Sequence, residues 1–144
     1  MNIILENFCH LGPAPYLLFS DRHTIRKLDI TLDLPTSRQY HELIGDLHSV
    51  VGISYLAMSN IVYWSDSNEN KISRRYLNQE NSENIIMQDI KVPDGLAVDW
   101  LGLNLYWVDS NAIEVATYNG DYRTQLVTFG LDAPRGIAVD PTDG

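Results

Sequence analysis

The strongest constraint on this chain is a segment that comes back. Tyr63-Trp64-Ser65-Asp66 returns as Tyr106-Trp107-Val108-Asp109, which places Trp64 and Trp107 43 residues apart. Pro93-Asp94-Gly95-Leu96-Ala97-Val98-Asp99 returns as Pro134-Arg135-Gly136-Ile137-Ala138-Val139-Asp140 after 41 residues. A weaker copy, Leu17-Leu18-Phe19-Ser20-Asp21, sets Phe19 a further 45 residues before Trp64. Each copy joins short branched or alternating apolar runs through turn residues, which is strand chemistry, and no segment holds an apolar stripe of helical period.

Four short strands repeated at about 43 residues are the signature of a propeller blade. The chain therefore reads as all-β, an incomplete propeller over 13–144 behind a linker at 1–12. Blade one covers 13–49, with strands at 16–21, 24–30 and 40–44 and a loop at 31–39, so it shows three strands where four are needed. Blade two, 50–94, has strands at 50–55, 60–65, 71–77 and 84–88. Blade three, 95–135, repeats the plan at 95–100, 104–108, 113–118 and 124–129, and 136–140 opens a fourth blade that runs to 144.

The copies show why these residues recur. Val51-Gly52-Ile53, Leu96-Ala97-Val98 and Ile137-Ala138-Val139 each set a tiny residue between two larger ones, which suits the crowded axis where first strands converge. Adjacent aromatics at Tyr63-Trp64 and Tyr106-Trp107 point to opposite faces of a strand and wedge one blade against the next on both sides. Third strands share Ile25, Ile72 and Ile113, followed five positions later by Ile30, Leu77 and Tyr118. Asp21, Asp66 and Asp109 close the second strands, where a carboxylate accepts backbone N–H groups in the turn; their role is structural, not metal-binding or catalytic.

Composition narrows the function. A net charge of −9 with no basic stripe argues against nucleic acid. No apolar run approaches the roughly 20 residues that span a bilayer, and the first residues are too polar for a signal peptide. Cys9 is alone, which fits either an intracellular protein or a disulfide whose partner lies outside these residues.

The Tyr-Trp-Ser-Asp and Tyr-Trp-Val-Asp copies, with Pro-Asp-Gly-Leu-Ala-Val-Asp-Trp and Pro-Arg-Gly-Ile-Ala-Val-Asp, resemble the YWTD repeats of the low-density lipoprotein receptor family. The segment 17–30 looks like the opening of such a propeller behind an EGF-like module, of which Cys9 is then the last cysteine. The resemblance implies a six-bladed propeller, here partial, in the extracellular part of a single-pass endocytic or signalling receptor. It implies protein ligands, an adjacent EGF-like module, no cofactor, no metal and no membrane contact in this span. It also implies that the innermost strand of blade one comes from the far end of the propeller. Ligands of such propellers dock on the loops entering the first strands and the turns between second and third strands, here Arg22, His48, Ser67, Asn68, Asp94, Asn111 and Arg135. The structural repeat motif comprises Phe19, Asp21, Tyr63, Trp64, Asp66, Tyr106, Trp107 and Asp109. Three departures stand out: Ser54 stands where Asp99 and Asp140 are expected, Val108 replaces the motif hydroxyl, and the hairpin after Asp109 is short.

Two other classes share parts of this pattern. A lactonase-type propeller enzyme has similar first strands and an axial metal, but lacks a regular YWxD strand in each blade. An intracellular NHL-like scaffold fits the lone cysteine and not the Tyr-Trp pairs. His10, His23, His41 and His48 show no metal-ligand spacing, and a role as a pH switch rests on residue type alone. There is no N-linked glycosylation sequon. An arc of three blades leaves its outer faces unburied, so the isolated chain is expected to unfold with poor cooperativity or to depend on another chain.

Overall fold

Blade two shows how the repeat becomes a sheet. Ile61–Asp66 alternates side chains to two faces, and in the computed structural model all six of its residues are buried, as only a central strand between two neighbouring sheets can be. The structure describes residues 3–6 by backbone alone, and 15–30 and 40–142 in full. Cys9, His10 and the expected loop at 31–39 lie outside the described residues.

Twelve strands are described: β1 (Ile3–Glu6), β2 (Tyr16–Ser20), β3 (Ile25–Asp29), β4 (Tyr40–Ile44), β5 (Val50–Leu56), β6 (Ile61–Asp66), β7 (Lys71–Tyr76), β8 (Glu83–Ile86), β9 (Pro93–Asp99), β10 (Asn104–Asp109), β11 (Ala112–Thr117) and β12 (Thr124–Val127). They form three antiparallel meanders, β1-β2-β3-β4, β5-β6-β7-β8 and β9-β10-β11-β12. A 3-10 turn, Ala57–Ser59, follows β5 and ends on Asn60 in the left-handed region at φ 56, which asparagine tolerates.

The two aromatics of each second strand divide as the alternation requires. Trp64 packs with Leu18, Ile25 and Ile44 of the first sheet, and Tyr63 packs with Leu105 and Trp107 of the third. Both tryptophans are at most 1% exposed, and burying each indole is worth on the order of 2–3 kcal/mol. Phe19 and Tyr106 hold the same two register positions at the ends of the arc, and there they are half-buried.

The ladders correct three expectations. Ile3–Glu6 pairs antiparallel with Tyr16–Ser20, Ile3 opposite Phe19 and Glu6 opposite Tyr16. The first sheet thus has four strands, not three, and part of the segment read as a linker supplies the innermost one. The first strands are also displaced by two residues from the alignment on tiny residues. Ile53 lies opposite Trp64 and Leu96 opposite Trp107, so Ser54 matches Ala97 and Gly52 matches Gly95. The position of Asp99 is held in blade two by Leu56, not Ser54. Ser54 instead accepts a hydrogen bond from the Val98 N–H at 3.0 Å. Finally, 136–140 belongs to no ladder among the described residues, and β9 begins at Pro93, two residues before the expected boundary of blade three.

The shared glycine explains the close approach at the axis. A β-carbon on Gly52 would overlap the Asp94 carbonyl oxygen, and one on Gly95 would overlap that of Arg135. The Gly95 N–H donates to the same Arg135 oxygen at 2.8 Å, so the far-end segment runs beside β9 as β9 runs beside β5.

Candidate ligand face

All seven residues singled out for binding lie at one end of the sheets, where first strands begin and second strands end. Val50 is opposite Asp66 and Pro93 opposite Asp109. The closing aspartates hold that end together. Asp66, 1% exposed, accepts His48 N–H and Ser49 N–H on one carboxylate oxygen, both at 3.1 Å, and Asn68 and Glu69 N–H on the other, at 3.0 and 3.1 Å. The first pair belongs to the loop entering β5 and the second to the β6–β7 turn, so one carboxylate fastens two loops. Burial alone would push this carboxyl up, and the four N–H donors together outweigh it and hold it below its ordinary value.

Asp109 repeats the first half of the device, accepting Lys91 N–H at 3.1 Å and Val92 N–H at 2.7 Å from the loop entering β9. Asp21 is more exposed and accepts His23 N–H at 2.9 Å, Thr24 N–H at 2.8 Å and the Thr24 hydroxyl. The His23 N–H lowers this carboxyl most, with Thr24 and Arg26 adding to the effect. Asp21 and Asp66 accept N–H groups of their own turns, as expected; Asp66 also bonds the loop entering β5, and the bonds of Asp109 go to the loop entering β9.

On this scaffold the candidates take distinct places. Arg22 is exposed, and its carbonyl accepts Val50 N–H at 3.0 Å. His48 is exposed with Nδ1 2.9 Å from Glu69 Oε1. Ser67 donates its N–H to Ser49 O at 3.0 Å and its hydroxyl to Ser49 Oγ at 3.1 Å. Asn68 and Asn111 project exposed side chains from the two hairpin turns. Asp94 is half-buried at the axis, where its carbonyl accepts the Ser65 hydroxyl at 2.7 Å. Ser65 also accepts Gly52 N–H at 2.9 Å, and Val108 removes both bonds in blade three. Arg135 is exposed on the segment beside β9.

Lys91 belongs to the same set and was overlooked. It stands 43 residues after His48 and its N–H meets Asp109 as that of His48 meets Asp66, so the repeat period alone would have found it. His48, Asp66 and Glu69 place ligand-type atoms within 4.8 Å of one another. Those atoms are already engaged: Asp66 by four N–H groups, Glu69 by His48 and by the Lys71 ammonium. The cluster forms a hydrogen-bonded network. An open groove at the axis, lined by 51–53, 94–96 and 135–137, offers only Asp94 and Arg135 as charged side chains.

A second set of polar contacts crosses from sheet to sheet. Arg123 pairs with the buried Glu114 carboxylate, reaches the Gln88 and Asp89 carbonyls at 2.5 and 2.8 Å, and stacks 5.5 Å from the Trp107 ring centre. Arg74 pairs with Glu83 at 2.9 Å and reaches the Tyr118 carbonyl and Asn119 in the third sheet.

Antiparallel four-stranded sheets stacked through one repeated aromatic interface, with their loops tied at a common end, define a β-propeller arc. The chain belongs to the low-density lipoprotein receptor repeat class B family, whose model matches residues 60–100 and 104–141. It is 38% identical to low-density lipoprotein receptor-related protein 5 of Mus musculus across 95% of this chain. Across 85% of the chain it is 36% identical to low-density lipoprotein receptor-related protein 8 of Gallus gallus. The chain spans 9% and 14% of the length of these relatives. Among solved structures it superposes on a chain of the nidogen/laminin complex with a TM-score of 0.83 and 32% identity, covering 90% of this chain and 50% of that one. Among the described residues, no helix is long and apolar enough to cross a membrane.

Proposed function

We propose that this arc is a non-catalytic, extracellular protein-binding segment of a receptor related to the low-density lipoprotein receptor. It sits next to an EGF-like module, within a propeller of six blades, in a receptor that internalises cargo or transmits a signal. The observation that carries the reading is the loop end itself. Asp66 fastens two loops there and Asp21 and Asp109 one each, with Arg22, His48, Asn68, Lys91 and Asn111 exposed at the same end, and a surface held in place before binding lowers the ordering cost. Asp21, Asp66 and Asp109 are engaged by backbone N–H groups and Glu69 by His48 and Lys71, which favours docking over acid–base chemistry at this end. The solved structure it superposes on is a nidogen/laminin complex, and a protein partner suits the polar, half-basic rim.

The test is binding of laminin and of low-density lipoprotein particles to a secreted ectodomain containing this span. A variant combining His48→Ala, Asn68→Ala and Lys91→Ala is expected to lose at least tenfold in affinity for the ligand that binds, while Met58→Asp at the opposite end leaves it unchanged. Equal affinity in the triple variant, or loss confined to Met58→Asp, overturns the assignment of the face.

A further inference from the structure

The loop end ties the first sheet to the second by a backbone bond that cannot form between the second and the third. Val50 N–H donates to Arg22 O at 3.0 Å, which fastens the start of β5 to the β2–β3 turn. Pro93 lies opposite Asp109 as Val50 lies opposite Asp66, so Pro93 holds the corresponding position at the start of β9. Proline has no N–H. The carbonyl that corresponds to Arg22 O is that of Ser67, since Ser67 follows Asp66 as Arg22 follows Asp21. It therefore lacks the donor that Val50 supplies one junction earlier.

Asn70 provides a substitute. Ser65 pairs with Ile72, whereas Ser20 pairs with Ile25 and Val108 with Ile113, so the β6–β7 turn is two residues longer than its two counterparts, and Asn70 lies in that longer turn. It occupies the left-handed region at φ 50, which asparagine adopts more readily than most residues. Two carbonyl oxygens face its side-chain amide, so the nitrogen is the atom turned toward them. It donates to Ser67 O at 3.1 Å and to Lys91 O, one hydrogen for each acceptor. The turn after β6 and the loop entering β9 are thereby joined through a side chain in place of a backbone bond.

The effect falls on Lys91. Its N–H is held by Asp109 at 3.1 Å and its carbonyl by Asn70, so the peptide groups on both sides of its α-carbon are fixed while the residue itself stays exposed. We propose that Asn70 is a positioning residue of the ligand face: it sets the loop entering β9, and with it the Lys91 ammonium, where a protein ligand meets it. The role in binding rests on the reading of the loop end as a ligand face; the clamp on the loop does not. A loop already fixed at Lys91 has less freedom to lose when a partner docks.

Asn70→Gly keeps the left-handed turn accessible to the backbone and removes both donors. In the secreted ectodomain, hydrogen exchange of the Lys91 and Val92 amides is expected to quicken about tenfold in this variant. Adding Pro93→Val returns an N–H to the position that Val50 holds at the first junction, and is expected to restore most of the protection; a turn that had merely loosened would not respond to it. Binding is read with laminin and with low-density lipoprotein particles. Asn70→Gly is expected to weaken the ligand that binds about threefold, and to add nothing in a Lys91→Ala background, because the amide acts through Lys91. Unchanged exchange in Asn70→Gly, or a Pro93→Val change that fails to slow it, overturns the clamp. Faster exchange with full affinity, or the same loss from Asn70→Gly with and without Lys91, overturns the positioning role. Full affinity in Lys91→Ala removes Lys91 from the ligand face and the positioning role with it, and the exchange rates still decide whether Asn70 holds the loop.

Discussion

Replacing Asp66 by Asn asks whether one carboxylate fastens the loop end. The side chain is buried and accepts four backbone N–H groups, two on each oxygen. An amide keeps one acceptor oxygen and turns a second donor toward two N–H groups that then have none. Losing two charge-assisted bonds at about 1.5 kcal/mol each gives a cost of about 3 kcal/mol. For a chain of this size that lowers the thermal midpoint by about 10 °C. The assay is thermal unfolding at fixed chain concentration, followed by circular dichroism. It also has a pH arm. The folded pKa of Asp66 lies below its ordinary 3.8, so its contribution is complete above that value and is lost as pH falls through the lowered one. The gap between wild type and Asp66→Asn is therefore expected to close in that acid range. Asp21→Asn serves as the comparison: its carboxylate is 47% exposed, and about 1 kcal/mol or less is expected. A loss under about 0.5 kcal/mol for Asp66→Asn, or equal losses at both positions, would refute the reasoning.

Three further changes probe the interior. Gly52→Ala is expected to cost about 2 kcal/mol or more, because the added methyl meets the Asp94 carbonyl and the Ser65 hydroxyl with no room to relax; urea titration measures it, and a neutral substitution would contradict the two-residue shift of the first strands. Arg123→Met leaves Glu114, whose side chain is 2% exposed, without its charged partner, at a cost of about 3 kcal/mol. Adding Glu114→Leu should recover most of that loss, and a double-mutant cycle with no coupling would dismiss the pair. Burial, only partly offset by Arg74, raises the Tyr63 hydroxyl from 10.0 to about 12. The unfolded chain then ionises before the folded one, so stability is full below 10.0 and falls toward 12; tyrosinate absorbance should show one of the eight tyrosines titrating last, and a single transition near 10.0 would count against it.

Much of the fold is legible because propeller repeats are nearly one-dimensional, each sheet contacting only its neighbours. Trp64 and Trp107 locate the second strands, Ile72 and Ile113 the third, and the closing aspartates the loop end. The first strands were legible in kind and not in register. Small residues occur twice in them at period two, Gly52 and Ser54, then Gly95 and Ala97, so alignment on size alone has two solutions. Ladder pairing against the tryptophans leaves one. The strand at Ile3–Glu6 was illegible because its run shares no motif with the other first strands.

The sequence by itself determined that this chain builds repeated four-stranded sheets wedged by aromatics, since period, alternation and turn residues are local properties. It also placed the closing aspartates where second strands turn into third. Tertiary structure alone decided that Asp66 and Asp109 reach loops 17 or 18 residues away, Asp66 while also holding its own turn, and that Arg74 and Arg123 stitch one sheet to the next. Those bonds depend on where a carboxylate or guanidinium lies in space relative to backbone far along the chain, and no pattern of neighbouring residues encodes that distance.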